Sequence, residues 1–221
     1  YVLMEDITME SCRSCIQWIM NHNLADTRLP QLTLIINSPG GDVHAAFALI
    51  DTMKASTIPI KTVGLGLIAS CGFLLFIAGK KGSRILTPNT AILSHQYSWG
   101  SAGKEHELYA RVKEFELSTK RMIEHYKKCI GMNEKQIREI LLPPQDVWLD
   151  AKEAKRLKIC DKVEALYHMS NRGLVQEVYY VKVTAGTGAG SFSKMRRIKF
   201  LSELDGKVYD MKAQDLRVVR E

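Results

Sequence analysis

The sequence predicts an α/β domain built on a largely parallel sheet. Three observations predict it. Short β-rich runs alternate with helical patterns through the first hundred residues. Apolar positions in the longer segments recur at three- and four-residue spacing. Turn signals separate the segments, at Asn37-Ser-Pro-Gly-Gly41, Thr87-Pro-Asn89 and Pro143-Pro144.

Each element follows in order. Residues 1–4 read as the end of a strand, and residues 8–23 carry apolar positions at helical spacing. Leu32 to Ile36 is a β-rich run stopped by the glycine turn, and a helix follows from about 43 to 55. Ile60 to Leu65 is the next strand. A strand-like stretch then turns at Ser70 into an apolar helix over 71–79. Ser83 to Leu86 and Thr90 to Leu93 are short strands around a proline turn. Residues 102–128 form a long, charge-rich helix with one apolar stripe through Leu108, Val112, Phe115, Thr119 and Met122. His106 and His125 on that helix are expected to be solvated. Asn133 begins a short helix that ends at the prolines, and Asp150 caps another through Leu157, with Glu153 completing a capping box. After about residue 168 the composition changes. Residues 176–184 alternate like a strand, Thr184 to Ser191 reads as a flexible link, and a basic tail carries strand-like pieces on either side of Asp205-Gly206.

The bulk properties agree. A chain of 221 residues, 46% hydrophobic and 25% charged, has material for one generous domain plus an appendage. The net charge of +7 is spread among mixed acids and bases, so it marks a solvated surface and not a polyanion site. In the tail, Lys194, Arg196, Arg197 and Lys199 with Phe192 and Phe200 read as a charged edge, and nucleic acid is not expected as a partner. Five cysteines without regular spacing suggest reduced thiols in a cytosol-like compartment. Cys12-Arg-Ser-Cys15 lacks the further ligands that structural zinc requires, so no metal is expected. No signal-peptide pattern is read, and the apolar stretch 64–79 is too short to span a bilayer. The start at Tyr1 points to further residues upstream.

The chemistry concentrates at Ser70, flanked by the small residues Ala69 and Gly72. A core gives no reason for a hydroxyl at this strand-to-helix turn, whereas a nucleophile is well served by it. Serine needs a base, and His95 supplies one. A carboxylate then holds the imidazole tautomer, and Asp146 fits that role. The glycine loop offers close main-chain approach, with the N–H groups of Gly41 and Cys71 as oxyanion donors. Two rivals stand beside this set: Cys71 as nucleophile and His44 as base. No phosphate-binding loop is present, so ATP would belong to a partner.

Ile36-Asn-Ser-Pro-Gly-Gly41, Ala69-Ser-Cys-Gly72, Ser94-His-Gln96 and Asp146 ahead of Leu149-Asp-Ala-Lys-Glu-Ala154 occur in this order at fitting distances. Over residues 1–167 the chain resembles the Clp protease proteolytic subunit family. The resemblance implies a fold of repeated ββα units, shared in outline with the crotonases, with a protruding handle helix at 102–128. It implies Ser70, His95 and Asp146 as catalytic triad, with Gly41 and Cys71 as oxyanion donors. An extended peptide would lie between Gly40, Gly41 and Asp42 on one side and Gln96, Tyr97 and Ser98 on the other. It also implies no cofactor, a stacked-ring homo-oligomer, possible heptamers and a partner ATPase that unfolds substrates. The compartment would be the cytoplasm, or an organelle matrix or host cytoplasm for an organellar or viral member. The family's N-terminal axial segment is absent from the sequence, and residues 168–221 form an extension with no counterpart in it. Three positions depart from the family pattern: Tyr97 stands where proline is usual, Cys71 where methionine is usual, and Lys158 where a glycine commonly ends the helix. Two other readings remain: a structural ring subunit without activity, and an acyl-CoA enzyme of the crotonase type. The membrane peptidases that digest signal peptides are related, but pair serine with lysine.

Overall fold

The computed structural model describes residues 1–25 and 29–165, together with the backbone of three strands further on. The chain divides into two units, the larger comprising Tyr1–Thr27 and Leu32–Ala165. Its elements are β1 (Val2–Leu3), α1 (Met9–Leu24), β2 (Leu32–Ser38), α2 (Val43–Ala55), β3 (Ile60–Ala69) and α3 (Cys71–Ile77). They continue as β4 (Arg84–Leu86), β5 (Ala91–Ser94), α4 (Glu105–Ile130), α5 (Glu134–Gln136) with a π-helical turn (Ile137–Leu141), β6 (Val147–Leu149), α6 (Ala151–Arg156) and β7 (Lys162–Val163).

The sheet runs β1-β2-β3-β4-β7, parallel throughout. β2 alternates between buried and half-buried positions, with Leu32, Leu34, Ile36 and Ser38 turned into the core. β3 is longer than the sequence suggests, running to Ala69 where 60–65 is expected. Its two glycines interrupt the hydrophobic pattern, and pairing lapses at Leu65 and Gly66 before resuming on both edges. It lies along β2 on one edge, and on the other pairs first with β4 at Thr62–Gly64 and then with β5 at Leu67–Ala69. That switch of partner carries the β3–α3 junction onto β5, and β6 completes the branch by pairing antiparallel with β5.

Helices α1, α2, α3 and α4 pack in succession against one another. The core they share with the sheet includes Leu34, Ile36, Leu49, Ile50, Ile68, Phe73, Phe76 and Tyr126, all fully buried. α3 is two residues shorter than expected, ending at Ile77. α4 begins at Glu105, three residues later than expected, where the Glu107 carboxylate accepts the Lys104 N–H at 2.9 Å. It ends at Gly131, whose φ of 86° gives a left-handed cap. Only the C-terminal half of α4 reaches the core, through Met122, Ile123, Tyr126 and Ile130; Leu108 and Val112 of the stripe are exposed.

His125 corrects an expectation. It is 2% exposed, not solvated. Its Nε2 donates to the Leu74 carbonyl of α3 at 2.9 Å, and its Nδ1 lies 3.4 Å from Lys54 Nζ. A second anchor is Arg84, bidentate to Asp161 at 2.9 and 2.8 Å and donating to the Cys129 and Lys158 carbonyls at 3.0 and 3.3 Å. It joins β4 to the end of α4 and the turn after α6. Burial opposes ionisation of Asp161, but hydrogen bonds and charge from Arg84 hold its carboxyl below the usual range.

The second unit contributes an antiparallel sheet of β8 (Gly173–Thr184), β9 (Phe192–Ser202) and β10 (Val208–Lys212), in the order β10-β9-β8. The link expected over 184–191 lies, apart from Thr184, outside the described residues, as does the Asp205-Gly206 turn.

Candidate active site

The site begins with a backbone outlier. Ser70 follows the last residue of β3 and precedes α3, with φ 52° and ψ −119°. L-residues reach this region at a cost of order 1–3 kcal/mol, and such strain gathers at functional sites. The surroundings hold it in place: the Ser70 N–H donates to the Leu93 carbonyl of β5 at 2.9 Å, and the Ser70 carbonyl accepts the Phe73 N–H at 3.0 Å. The next amide, Cys71 N–H, is in the first helical turn and has no acceptor within the helix.

The glycine loop approaches from the other side. Ile7 and Gly41 form a bridge in which the Ile7 N–H donates to the Gly40 carbonyl at 2.8 Å and the Asp42 N–H to the Ile7 carbonyl at 2.7 Å. The Gly40–Gly41 peptide bond is trans, so the Gly41 N–H points away from Ile7, opposite to the Gly40 carbonyl. Both glycines are required. A Cβ on Gly41 would strike the Ile7 carbonyl oxygen, and one on Gly40 would come within 2.6 Å of Ser70 Cβ. Cys71 fastens the loop to α3, its thiol donating to the Gly41 carbonyl at 3.2 Å.

His95 follows the end of β5. Flanking bonds fix this chain segment: Ser94 Oγ donates to the Leu141 carbonyl at 2.7 Å, and Gln96 Nε2 to the Leu142 carbonyl at 3.0 Å. The β5–β6 ladder pairs Ile92 with Leu149, Leu93 with Trp148 and Ser94 with Val147. The ladder stops there, with His95 and Asp146 each just beyond its last pair.

One cavity unites most of these groups. Ser70, Cys71, Gly41, His95, Gln96, Tyr97 and Ser98 line it, over an apolar floor of Val43, Leu74, Met122 and Tyr126. Asp146, Gly40 and Asp42 do not line it. Gly40 is buried behind the loop, and Asp42 caps α2 by accepting the His44 and Ala45 N–H groups at 2.7 and 3.0 Å. No hydrogen bond joins Ser70 to His95, or His95 to Asp146, among the described residues. His95 Nδ1 instead lies 2.6 Å from the Gln96 carbonyl. A carbonyl only accepts, so Nδ1 is the donor in this contact.

The rivals are placed as well. His44 lies outside the cavity, with Nε2 3.2 Å from Glu114 Oε1 and Nδ1 3.2 Å from Arg121 Nη2. Burial pushes the Cys71 thiol up to about 11, which leaves little thiolate at neutral pH. Cys12 and Cys15 are buried in α1, their thiols pushed up by burial to about 11 and about 12. Among the described residues no group of three or more metal-ligating side chains occurs, and no helix is long and apolar enough to cross a membrane. Sequence reasoning missed Ile7, whose main chain aims the glycine loop; a backbone role leaves no mark on residue type. The floor was partly legible, since Leu74 and Met122 belong to the helical patterns. Tyr126 was not singled out.

The Clp protease family model matches residues 2–166. The ATP-dependent Clp protease proteolytic subunit 1 of Chlamydia abortus is 32% identical over 161 residues, covering 72% of this chain and 82% of that protein. Subunit 2 of Corynebacterium diphtheriae is 37% identical over 132 residues, covering 60% and 65%. Subunit 1 of Chlamydia caviae is 32% identical over 161 residues, covering 72% and 83%. The match takes in every element from β1 to β7 and each segment that builds the cavity, and on that extent the chain belongs to the Clp protease family.

Proposed function

We propose that the chain is a serine endopeptidase that hydrolyses peptides and unfolded proteins through Ser70, His95 and Asp146. The observation that carries this reading is the strained Ser70 turn opening on a cavity it shares with His95, with two glycine-loop and helix amides beside it. The β5–β6 register supports the third member: carried one rung beyond Ser94 and Val147, it would pair His95 with Asp146. In the mechanism, Ser70 Oγ attacks the peptide carbonyl and gives its proton to His95 Nε2. A turn of the imidazole carries Nδ1–H from the Gln96 carbonyl to the Asp146 carboxylate, which stabilises the imidazolium. His95 passes the proton to the leaving amine, and water then releases the acyl-enzyme. Unassembled contacts of this kind are common without substrate and tighten on binding. The amides of Gly41 and Cys71 take up the negative charge, each worth roughly 100- to 1000-fold in rate. Neither a metal nor an organic cofactor enters these steps.

Residues 1–167 form the peptidase domain in this reading, and 168–221 an extension. The chain works as a ring-shaped homo-oligomer with a second ring stacked through α4, in the cytoplasm or an equivalent compartment. An ATP-driven unfoldase supplies its substrates. The test is Ser70→Ala: peptide hydrolysis and labelling by a fluorophosphonate should vanish while assembly is kept, and retained hydrolysis refutes the assignment. The open Ser70–His95 and His95–Asp146 contacts favour a second reading, a ring subunit with little activity. Absence of labelling in the wild-type oligomer would support it. Acyl-CoA binding without labelling would point to the crotonase-type enzyme.

A further inference from the structure

The Gly41 peptide groups are used from both sides. On the Ile7 side, the Gly40 carbonyl and the Asp42 N–H are taken by the Ile7 main chain at 2.8 and 2.7 Å. Gly41's own N–H and carbonyl therefore face the opposite way, towards α3. The carbonyl is taken by the Cys71 thiol at 3.2 Å, and the N–H is left on the cavity side. Cys71 in turn presents its own N–H at the first turn of α3.

We infer that the Cys71 side chain is a positioning residue of the oxyanion hole, tethering the Gly41 donor to the helix that carries the other donor. The inference rests on the serine-peptidase reading of this site and deepens it. One residue supplies one of the two amides and fixes the segment that supplies the other. The two donors then move as a unit relative to Ser70, which is what a preorganised hole requires. Gly41 needs such a restraint. Its φ of 143° is open only to glycine, and with no side chain it is held on one face by the Ile7 main chain and on the cavity face by the Cys71 thiol. Cys71 is 5% exposed, and its thiol stays protonated at neutral pH, so it can donate. Alanine and methionine have no S–H and cannot make the bond; serine can.

A positioning role makes a prediction that packing does not. The oxyanion forms only in the transition state, so loss of the tether should lower kcat and spare KM. The experiment uses the assembled protein, a fluorogenic peptide and a fluorophosphonate. C71A and C71M should lose roughly three- to fivefold in kcat and in the acylation rate of Ser70, the scale of a weak S–H···O bond. KM should stay unchanged, and C71S should recover most of the rate lost in C71A. A C71A rate equal to wild type, a C71S rate no higher than C71A, or a change confined to KM overturns the inference. A second readout does not depend on activity or on a variant's rate. The S–H stretch of Cys71, isolated in the infrared difference between wild type and C71S, should lie below the free-thiol frequency; a free-thiol frequency overturns the tether whatever the kinetics. A shifted stretch in a wild-type oligomer that is never acylated would sink the peptidase reading, and the tether's catalytic role with it, while the bond itself stands.

Discussion

Ser70 and Lys158 are the two non-glycine residues with positive φ among the described residues, and their strain has different origins. Ser70 sits in a cavity, held by bonds to β5 and α3, and its conformation presents a hydroxyl to that cavity. Lys158, at φ 60°, closes α6: its N–H donates to the Lys155 carbonyl at 3.1 Å and its carbonyl accepts from Arg84. Both bonds use only the main chain of Lys158, and its side chain is exposed. A glycine would keep them without the clash between Cβ and the carbonyl that left-handed geometry imposes. Lys158→Gly should therefore stabilise the fold by about 1 kcal/mol, the lost strain outweighing the extra freedom of glycine when unfolded. Urea unfolding checks it, and a midpoint equal to or below wild type contradicts it. The position was legible as a departure from the expected glycine. Ser70, His95 and Asp146, the proposed triad, stand in the sequence as residue types in order, whereas the Ile7 bridge and the Cys71–Gly41 bond arise from tertiary contacts that no local pattern encodes.

At the scale of elements, α4 is the instructive case. Its stripe places Met122 on the core side, and His125, three residues on, lies on that same face. Helical spacing thus contained the signal, but a charged helix with an exposed N-terminal half gives no hint of where the buried half begins. The consequence is electrostatic. Burial, with the Lys54 charge adding to it, pushes the His125 imidazole from 6.5 down to about 4. The unfolded chain then binds a proton that the folded one refuses, so stability rises with pH between those values. It is fully present above pH 6.5, falls as pH drops towards 4, and levels off below. The loss at pH 4.5 is about 2–3 kcal/mol from this residue. Urea titrations at pH 7 and pH 4.5 should show it in the wild type and show a smaller loss in His125→Gln, whose amide can still donate to Leu74. An equal loss in both proteins would assign the acid sensitivity elsewhere.

For the whole molecule, the order of strands and helices was readable because each run is short, patterned and bounded by a turn. The branch at β3 was not, since pairing with β4 and then β5 is a matter of register, and β5 in turn brings β6, which precedes α6, alongside the segment that ends at His95. Assembly is the remaining question at this scale. Residues 101–113 are all exposed, yet Leu108 and Val112 place an apolar strip there, 39% and 43% exposed, one helical turn apart. Tyr97 and Trp99 add to it by packing on Phe115 with ring centroids 5.8 and 5.5 Å away. A second copy meeting this strip would bury the exposed part of each Leu108 for about 1 kcal/mol, repeated around a ring. Leu108→Asp removes that gain and adds a charge that must be desolvated. Leu108 is exposed in its own subunit and outside the buried core, so the thermal unfolding of the isolated chain should stay near wild type. Sedimentation should show the large particle replaced by a smaller one in the variant. If the particle is unchanged while the chain remains folded, α4 does not carry the contact between rings, and the stacked-ring proposal loses its interface.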